Sequence, residues 1–266
     1  QEAFLARLDR VPDGRDVAQA GAVCGYECSY EMLKMVTGIA THALHKTLTQ
    51  FVRAGILHQH EHRRSIYTFK HALLRDTVYR AIPEKDRRRL HQRVIRFLER
   101  QSPQLGDVYP ELLAQHAAAA DNCPQAVLYW QQAGLRSIAH FANAEAIQQL
   151  DKAGALLATL PDAGERVAYE FALQVSTGLV QSVTKGCGAP EVERAYARAR
   201  ELCQQVPAGA QLGPMYFRLQ RFYTLRAEHH AAQEIAEQYQ QFAERGGDVM
   251  ARLGVHAAVG STSLWL

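Results

Sequence analysis

Apolar positions recur at helical intervals along most of the chain and change to an interval of two in one short stretch. In residues 2–10, Phe4, Leu5 and Leu8 share a face, and the turn Val11-Pro12-Asp13-Gly14 closes that helix. Residues 16–24 place Val17, Ala20 and Val23 together and stop at Gly25, where the missing Cβ lets the chain turn. Ser29 is placed to cap a third helix with Met32, Leu33 and Val36 inward and Gly38 past its end. Thr41 is placed to cap a fourth, in which Leu44, Leu48, Phe51 and Val52 form a stripe that ends at Gly55. Residues 56–60 and 65–69 then alternate and are rich in β-branched and aromatic side chains, which predicts two strands joined across the polar Glu61, His62, Arg63 and Arg64.

Helices followed by one hairpin make a winged-helix pattern. The second strand runs directly into a further helix, with His71 at the joint, and Ala72, Leu73, Val78, Tyr79 and Ile82 give that helix an apolar stripe. Pro83 suits the first turn of the next helix, 85–100, whose buried side is Leu90, Val94, Phe97 and Leu98. Its Arg87, Arg88, Arg89, Arg93 and Arg96 lie among Glu84, Asp86 and Glu99 and read as a solvated face. Residues 102–109, polar and containing Pro103 and Gly106, read as a linker. The expected organisation is therefore a winged-helix domain with its basic helix over 1–101, a linker over 102–109 and helical repeats over 110–266.

In the repeat region Trp130 is followed at +3, +4, +16, +20 and +23 by Ala133, Gly134, Ala146, Leu150 and Ala153, the offsets of tetratricopeptide-like helix pairs. Tyr216 is followed at +3, +7, +16 and +20 by Leu219, Tyr223, Ala232 and Ala236, with a looser copy in helices 165–183 and 190–204 around the loop 184–189. A pair 110–120 and 124–138 overlaps the Trp130 unit, so two phases are open there. Residues 249–266 have the register of a first helix without its partner. The predicted class is mainly α, a winged helix followed by an α-solenoid whose concave surface is available to a protein or peptide. Polar side chains on first helices that would line such a groove are Gln131, Arg218, Arg221 and Arg226.

Composition narrows the function. With 47% hydrophobic and 21% charged residues and a net charge of +3, no global field points to nucleic acid or an anionic membrane. No apolar run is long enough to span a bilayer and no secretory leader is visible, which makes the cytoplasm the expected compartment. Five cysteines at scattered positions fit reduced, buried thiols rather than a disulfide framework. His58, His60 and His62 would share a strand face able to hold a transition metal, but no carboxylate or cysteine pattern completes a site, and a polar edge strand accounts for them. The remaining histidines, among them His91 and His116, are scattered without a nucleophile or acid pair, and no catalytic motif occurs, so no enzyme activity is expected of this chain. The alternative, a DNA-binding regulator, would use helix 41–54 for recognition; only Lys46, Gln50 and Arg53 there suit groove or phosphate contacts, which argues against nucleic acid.

The residues Phe4-Leu5-Ala6-Arg7-Leu8-Asp9-Arg10, Ala20-Gly21-Ala22-Val23 and Phe69-Lys70-His71-Ala72-Leu73-Leu74-Arg75-Asp76 together resemble the winged-helix region of signal-transduction ATPases with numerous domains (STAND). The resemblance is to the bacterial predicted ATPases often fused to class III adenylate or guanylate cyclase domains, and it extends over the whole chain. It implies an effector domain, then a P-loop ATPase using ATP or ADP with Mg, then a winged helix, then tetratricopeptide-like repeats. No G-x-x-x-x-G-K-[ST] occurs here, so the chain holds no cofactor of its own and reads as a C-terminal piece whose partners include upstream ATPase and effector domains. In related nucleotide switches a Met-His-Asp motif contacts the β-phosphate of ADP; the resemblance assigns the histidine to His71, while Ala72 stands where that motif has its aspartate.

Overall fold

The computed structural model describes residues 8, 10–60, 65–101, 109–160, 164–206, 212–246 and 254–256. The protein is mainly helical and divides into two compact units, Gln1–Asn122 and Cys123–Leu266. Among the described residues no helix is long and apolar enough to cross a membrane.

In the first unit α1 (Gly14–Cys24) is followed by β1 (Glu27–Ser29), α2 (Tyr30–Thr37), α3 (Thr41–Arg53), β2 (Leu57–Gln59), β3 (Ile66–Phe69), α4 (Ala72–Ala81), α5 (Glu84–Gln101) and α6 (Pro110–Ala119). The strand β1 was not expected. It turns the predicted hairpin into a three-stranded antiparallel sheet of order β1-β3-β2, with Cys28 opposite Tyr67 and Gln59 opposite Tyr67 on the other side. Three residues between two helices are too short for periodicity to show a strand. The expected helix at 2–10 lies outside the described residues apart from Leu8 and Arg10, and so does the hairpin tip 61–64.

Helix ends follow the capping logic in part. Ser29 Oγ accepts a hydrogen bond from the Met32 amide at 3.1 Å, and Gly38 closes α2 at φ 74°, where an L side chain would be strained. Thr41 does not cap α3. Ala40 occupies that position with no side-chain bond, and Thr41 is already helical. What holds α3 is its face: Leu44, Leu48 and Phe51 are fully buried, and each such side chain contributes about 1.5–3 kcal/mol relative to exposure. Thr47, on the same face, donates to the Pro12 carbonyl at 2.9 Å.

Helix α1 is the centre of this unit. Its small side chains let α2, α3, α4 and α5 all pack against it, and Val17, Ala18, Ala20, Ala22 and Val23 are buried. On α5 the buried residues are His91, Val94, Ile95, Phe97 and Leu98, while Leu90 is only half-buried. The expected solvated face is there. Arg88 pairs with Glu84 and Asp121, and Arg93 donates to the Val36 carbonyl at 2.7 Å, a cation at the end of α2 where the helix dipole favours it. Helix α6 packs against α5.

The second unit comprises α7 (Cys123–Ala139), α8 (Asn143–Leu157), α9 (Gly164–Lys185), α10 (Pro190–Cys203), α11 (Gly213–Leu225) and α12 (His229–Gly246), with a short turn of helix at 254–256. The helices pack in successive pairs, α7 with α8, α9 with α10 and α11 with α12, and the first helices of neighbouring pairs also touch. The pair α7 and α8 holds the residues of the Trp130 spacing.

Close approach at a glycine marks the first two pairs. A Cβ on Gly134 would lie 2.8 Å from Leu150 Cγ, and one on Gly178 would lie 2.7 to 2.9 Å from the Tyr196 ring. Tyr196 has no room to withdraw, because it stacks on Phe222 at 3.9 Å between centroids. A run of rings, Phe171, Tyr216, Tyr239 and Phe242, continues the core through α9, α11 and α12. The turn after α7 and the turn after α11 are alike: Phe141 and Ala227 adopt left-handed backbone, and the following amides of Ala142 and Glu228 reach back to the Ser137 and Tyr223 carbonyls.

Gly178→Ala sets an overpacking cost of about 1–3 kcal/mol against a helix-propensity gain of about 1 kcal/mol. The rigid stack behind Tyr196 makes the cost win, so urea denaturation of the chain is expected to show a loss of about 1–2 kcal/mol; equal or greater stability would mean that the ring has space to move.

Candidate functional site

The joint between β3 and α4 is built by burial on one side and exposure on the other. Tyr67, Thr68 and Phe69 are buried, whereas Lys70, His71, Ala72 and Leu73 are exposed, Leu73 to 74%. The expected apolar stripe therefore loses its first two members; Thr77, Val78 and Ile82 carry the packing. His71 takes the N-cap position in extended backbone with no side-chain cap bond, and its carbonyl accepts from the Leu74 amide at 3.0 Å. Its imidazole is thus not spent on its own helix. Next to it, Lys70 borders an open hollow of about 320 Å³ with Tyr26, Gly55, Leu57 and His58.

Two of the three histidines proposed to share a strand face, His58 and His60, lie within the described residues. The strand ends at Gln59, His58 and His60 meet edge to face at 5.7 Å, and His60 lies 3.9 Å from Glu27. His62 lies outside the described residues, and among those described no group of three potential ligands comes together. On α3 Lys46 and Arg53 are exposed and Gln50 is half-buried. Cys24 and Cys28 are free and buried, and burial pushes both thiols up, Cys28 to about 12, which leaves them unreactive.

The proposed groove residues of the repeats separate. Gln131 is a correction: it is buried, and its amide donates to the Ala172 carbonyl at 3.0 Å and to Ser176 Oγ at 2.9 Å, joining α7 to α9 from inside. A polar side chain bridging two helices in the core satisfies itself and offers nothing to a ligand. Arg226 is exposed but held by Glu228 at 2.7 Å and lies over the Phe222 ring at 5.5 Å. Arg221 is exposed and Arg218 is half-buried. Exposed instead are three large apolar side chains near the ends of the first helices, Phe141 at 88%, Val183 at 56% and Leu225 at 73%, in equal steps of 42 residues (141, 183, 225).

One cluster escaped the sequence reading. Tyr79 Oη lies 2.9 Å from His91 Nε2, and His91 Nδ1 lies 2.8 Å from His116 Nδ1, so α4, α5 and α6 are joined by one chain of polar atoms. Both imidazoles are buried, beside a cavity of about 300 Å³ that Cys24, Arg75, Asp76 and Gln115 also border. Burial holds both histidines well below the usual range, and for His91 the neighbouring His116 and Arg87 add to it. A signal was present. His91 stands with Val94, Ile95 and Leu98 on the buried face of α5, and His116 with Leu113, Ala117 and Ala120 on that of α6.

No family model matches this chain, and no solved structure matches it. It is similar to uncharacterized protein R02095 of Rhizobium meliloti (strain 1021), at 26% identity over 208 residues, which is 77% of this chain and 20% of that protein. The chain thus spans about a fifth of the length of the curated relative it matches.

The buried pair sets a pH dependence. Unfolded histidines take up protons below about 6.5 while the folded pair resists, so its stability is complete above that value and is lost as pH falls below it. Replacing His116 by Asn is expected to flatten this acid loss by up to about 1.4 kcal/mol per pH unit in urea titrations between pH 7 and 5; parallel curves would show that the pair is protonated alike in both states.

Proposed function

We propose that this chain is the regulatory and interaction region of a signal-transduction ATPase of the STAND type. In this reading the first unit is a winged helix that reports the nucleotide state of an ATPase domain elsewhere in the polypeptide. The second unit is a tetratricopeptide-like solenoid that senses a protein or peptide and so controls an effector such as a nucleotide cyclase. The observation that carries it is the exposure of His71 at the strand-to-helix joint, unengaged by its own helix and beside the open hollow at Lys70. Support also comes from the stacked helix pairs and from the length of the Rhizobium meliloti protein, four fifths of which lies outside the match.

The chemistry follows from what an imidazole at a helix N-terminus offers. A ring N–H donates to a phosphate oxygen, and the first amides of α4 favour negative charge at that place. With ADP bound, His71 would hold the winged helix against the nucleotide and keep the effector closed. A ligand that binds the repeats more tightly in an open arrangement shifts the population away from that contact. The ligand surface in this account includes Phe141, Val183 and Leu225, whose exposure costs the isolated chain apolar hydration and is relieved by a partner.

In the longer polypeptide His71→Ala is expected to raise basal effector output and to speed ADP release about 10- to 100-fold, the worth of one hydrogen bond to a charged group. Unchanged ADP retention and output would remove the sensing role. Independently, the double change Phe141→Asp and Leu225→Asp is expected to leave thermal stability within about 0.5 kcal/mol, as for exposed positions, while abolishing ligand-dependent output; a fully responsive variant would place the ligand elsewhere.

A further inference from the structure

We infer that Tyr79, His91 and His116 act as a polar strut that sets the position of α4, the helix that begins at His71, from α5 and α6. The three side chains come from three helices, and their polar atoms meet end to end at 2.9 Å and 2.8 Å. Two Nδ1 atoms bond to each other only when one carries a proton and the other does not. That requirement links the tautomers. If His91 Nδ1 donates, His116 must hold its proton on Nε2, and His91 Nε2 is left as a lone pair that accepts the Tyr79 hydroxyl. If His116 Nδ1 donates, His91 Nε2 carries the proton and Tyr79 accepts. Either way the chain runs in one direction, and changing one member leaves a buried polar atom unmatched in the next.

The strut is neutral, and its surroundings keep it so. Arg87 lies near His91 on α5, Arg75 and Asp76 border the cavity from α4, and Cys24 borders it from α1. Arg75 and Asp76 pair with each other at 2.7 Å, which leaves no uncompensated anion to draw a proton to the imidazoles. An apolar contact between α4 and α6 would allow sliding. A directional chain of three hydrogen bonding groups at a cavity wall, where packing is incomplete, fixes the register instead. These are positioning residues, and what they position is the helix that carries His71 at its start. The inference rests on the proposed sensing role only for the consequence of that placement; the strut itself is tested without nucleotide.

The test is amide hydrogen exchange and histidine side-chain nitrogen NMR on the 266-residue chain. Tyr79→Phe removes one oxygen and is expected to raise exchange of the Val78–Ala81 amides at least tenfold while α11 and α12 are unaffected. His116→Leu, two helices away, is expected to do the same. His116→Asn keeps a polar atom near the place of Nδ1 and is expected to hold exchange within threefold of the parent. In the parent, His91 and His116 are expected to show opposite, fixed ring-nitrogen signatures that do not titrate between pH 8 and 6. The strut is overturned if Tyr79→Phe leaves α4 exchange within twofold, if Asn and Leu at 116 behave alike, or if the two rings titrate independently near the ordinary histidine value. Nucleotide retention by the longer polypeptide bears on the sensing role alone, so the two ideas fail separately.

Discussion

Burial of Phe69 against Gly21 decides where the chain passes from strand to helix. The ring lies 3.4 Å from the place a Cβ on Gly21 would occupy, an ordinary packing contact, so it sits directly against α1. With Phe69 buried in that position and paired to Leu57 across the sheet, Lys70 and His71 must emerge at the surface within two residues. Helix α4 then begins in the open and gains its packing only further along, at Thr77, Val78 and Ile82. The result is an exposed histidine on a firmly anchored frame: the scaffold determines where the imidazole is, and its own helix makes no cap bond with it.

The second unit rests on a different constraint, the approach of paired helices to within the width of a missing side chain. Gly134 and Gly178 make room for Leu150 and Tyr196, Gln131 ties α7 to α9, and ring contacts tie the second pair to the third. Left-handed turns at Phe141 and Ala227 direct the chain back sharply enough to keep the second helix against the first. The same sharp turn pushes Phe141 into solvent. Exposure of that ring is thus a by-product of the turn.

How much of this was legible in the sequence depended on whether the signal was local. Ser29, Gly38 and the β-branched and aromatic run Ile66 to Phe69 announced their roles because capping and strand propensity act over a few residues. The offsets after Trp130 and Tyr216 were readable because small residues at fixed spacing are the condition for close helix pairs. Three things were not. The strand Glu27–Ser29 exists only because β3 lies beside it, and Leu73 is exposed because no neighbouring element covers the first turn of α4. Gln131, His91 and His116 were taken by their polarity rather than by their place; each stands on the buried stripe of its helix, and polar residues there are bonded to one another or to backbone.

The central claim concerns the imidazole of His71, and a nucleotide-bound structure of the longer polypeptide addresses it most directly. With ADP in the ATPase domain, the account places a ring nitrogen of His71 within about 3 Å of a β-phosphate oxygen. A bound ADP whose β-phosphate is held wholly by other groups, with His71 facing solvent as it does in the isolated joint, would contradict it.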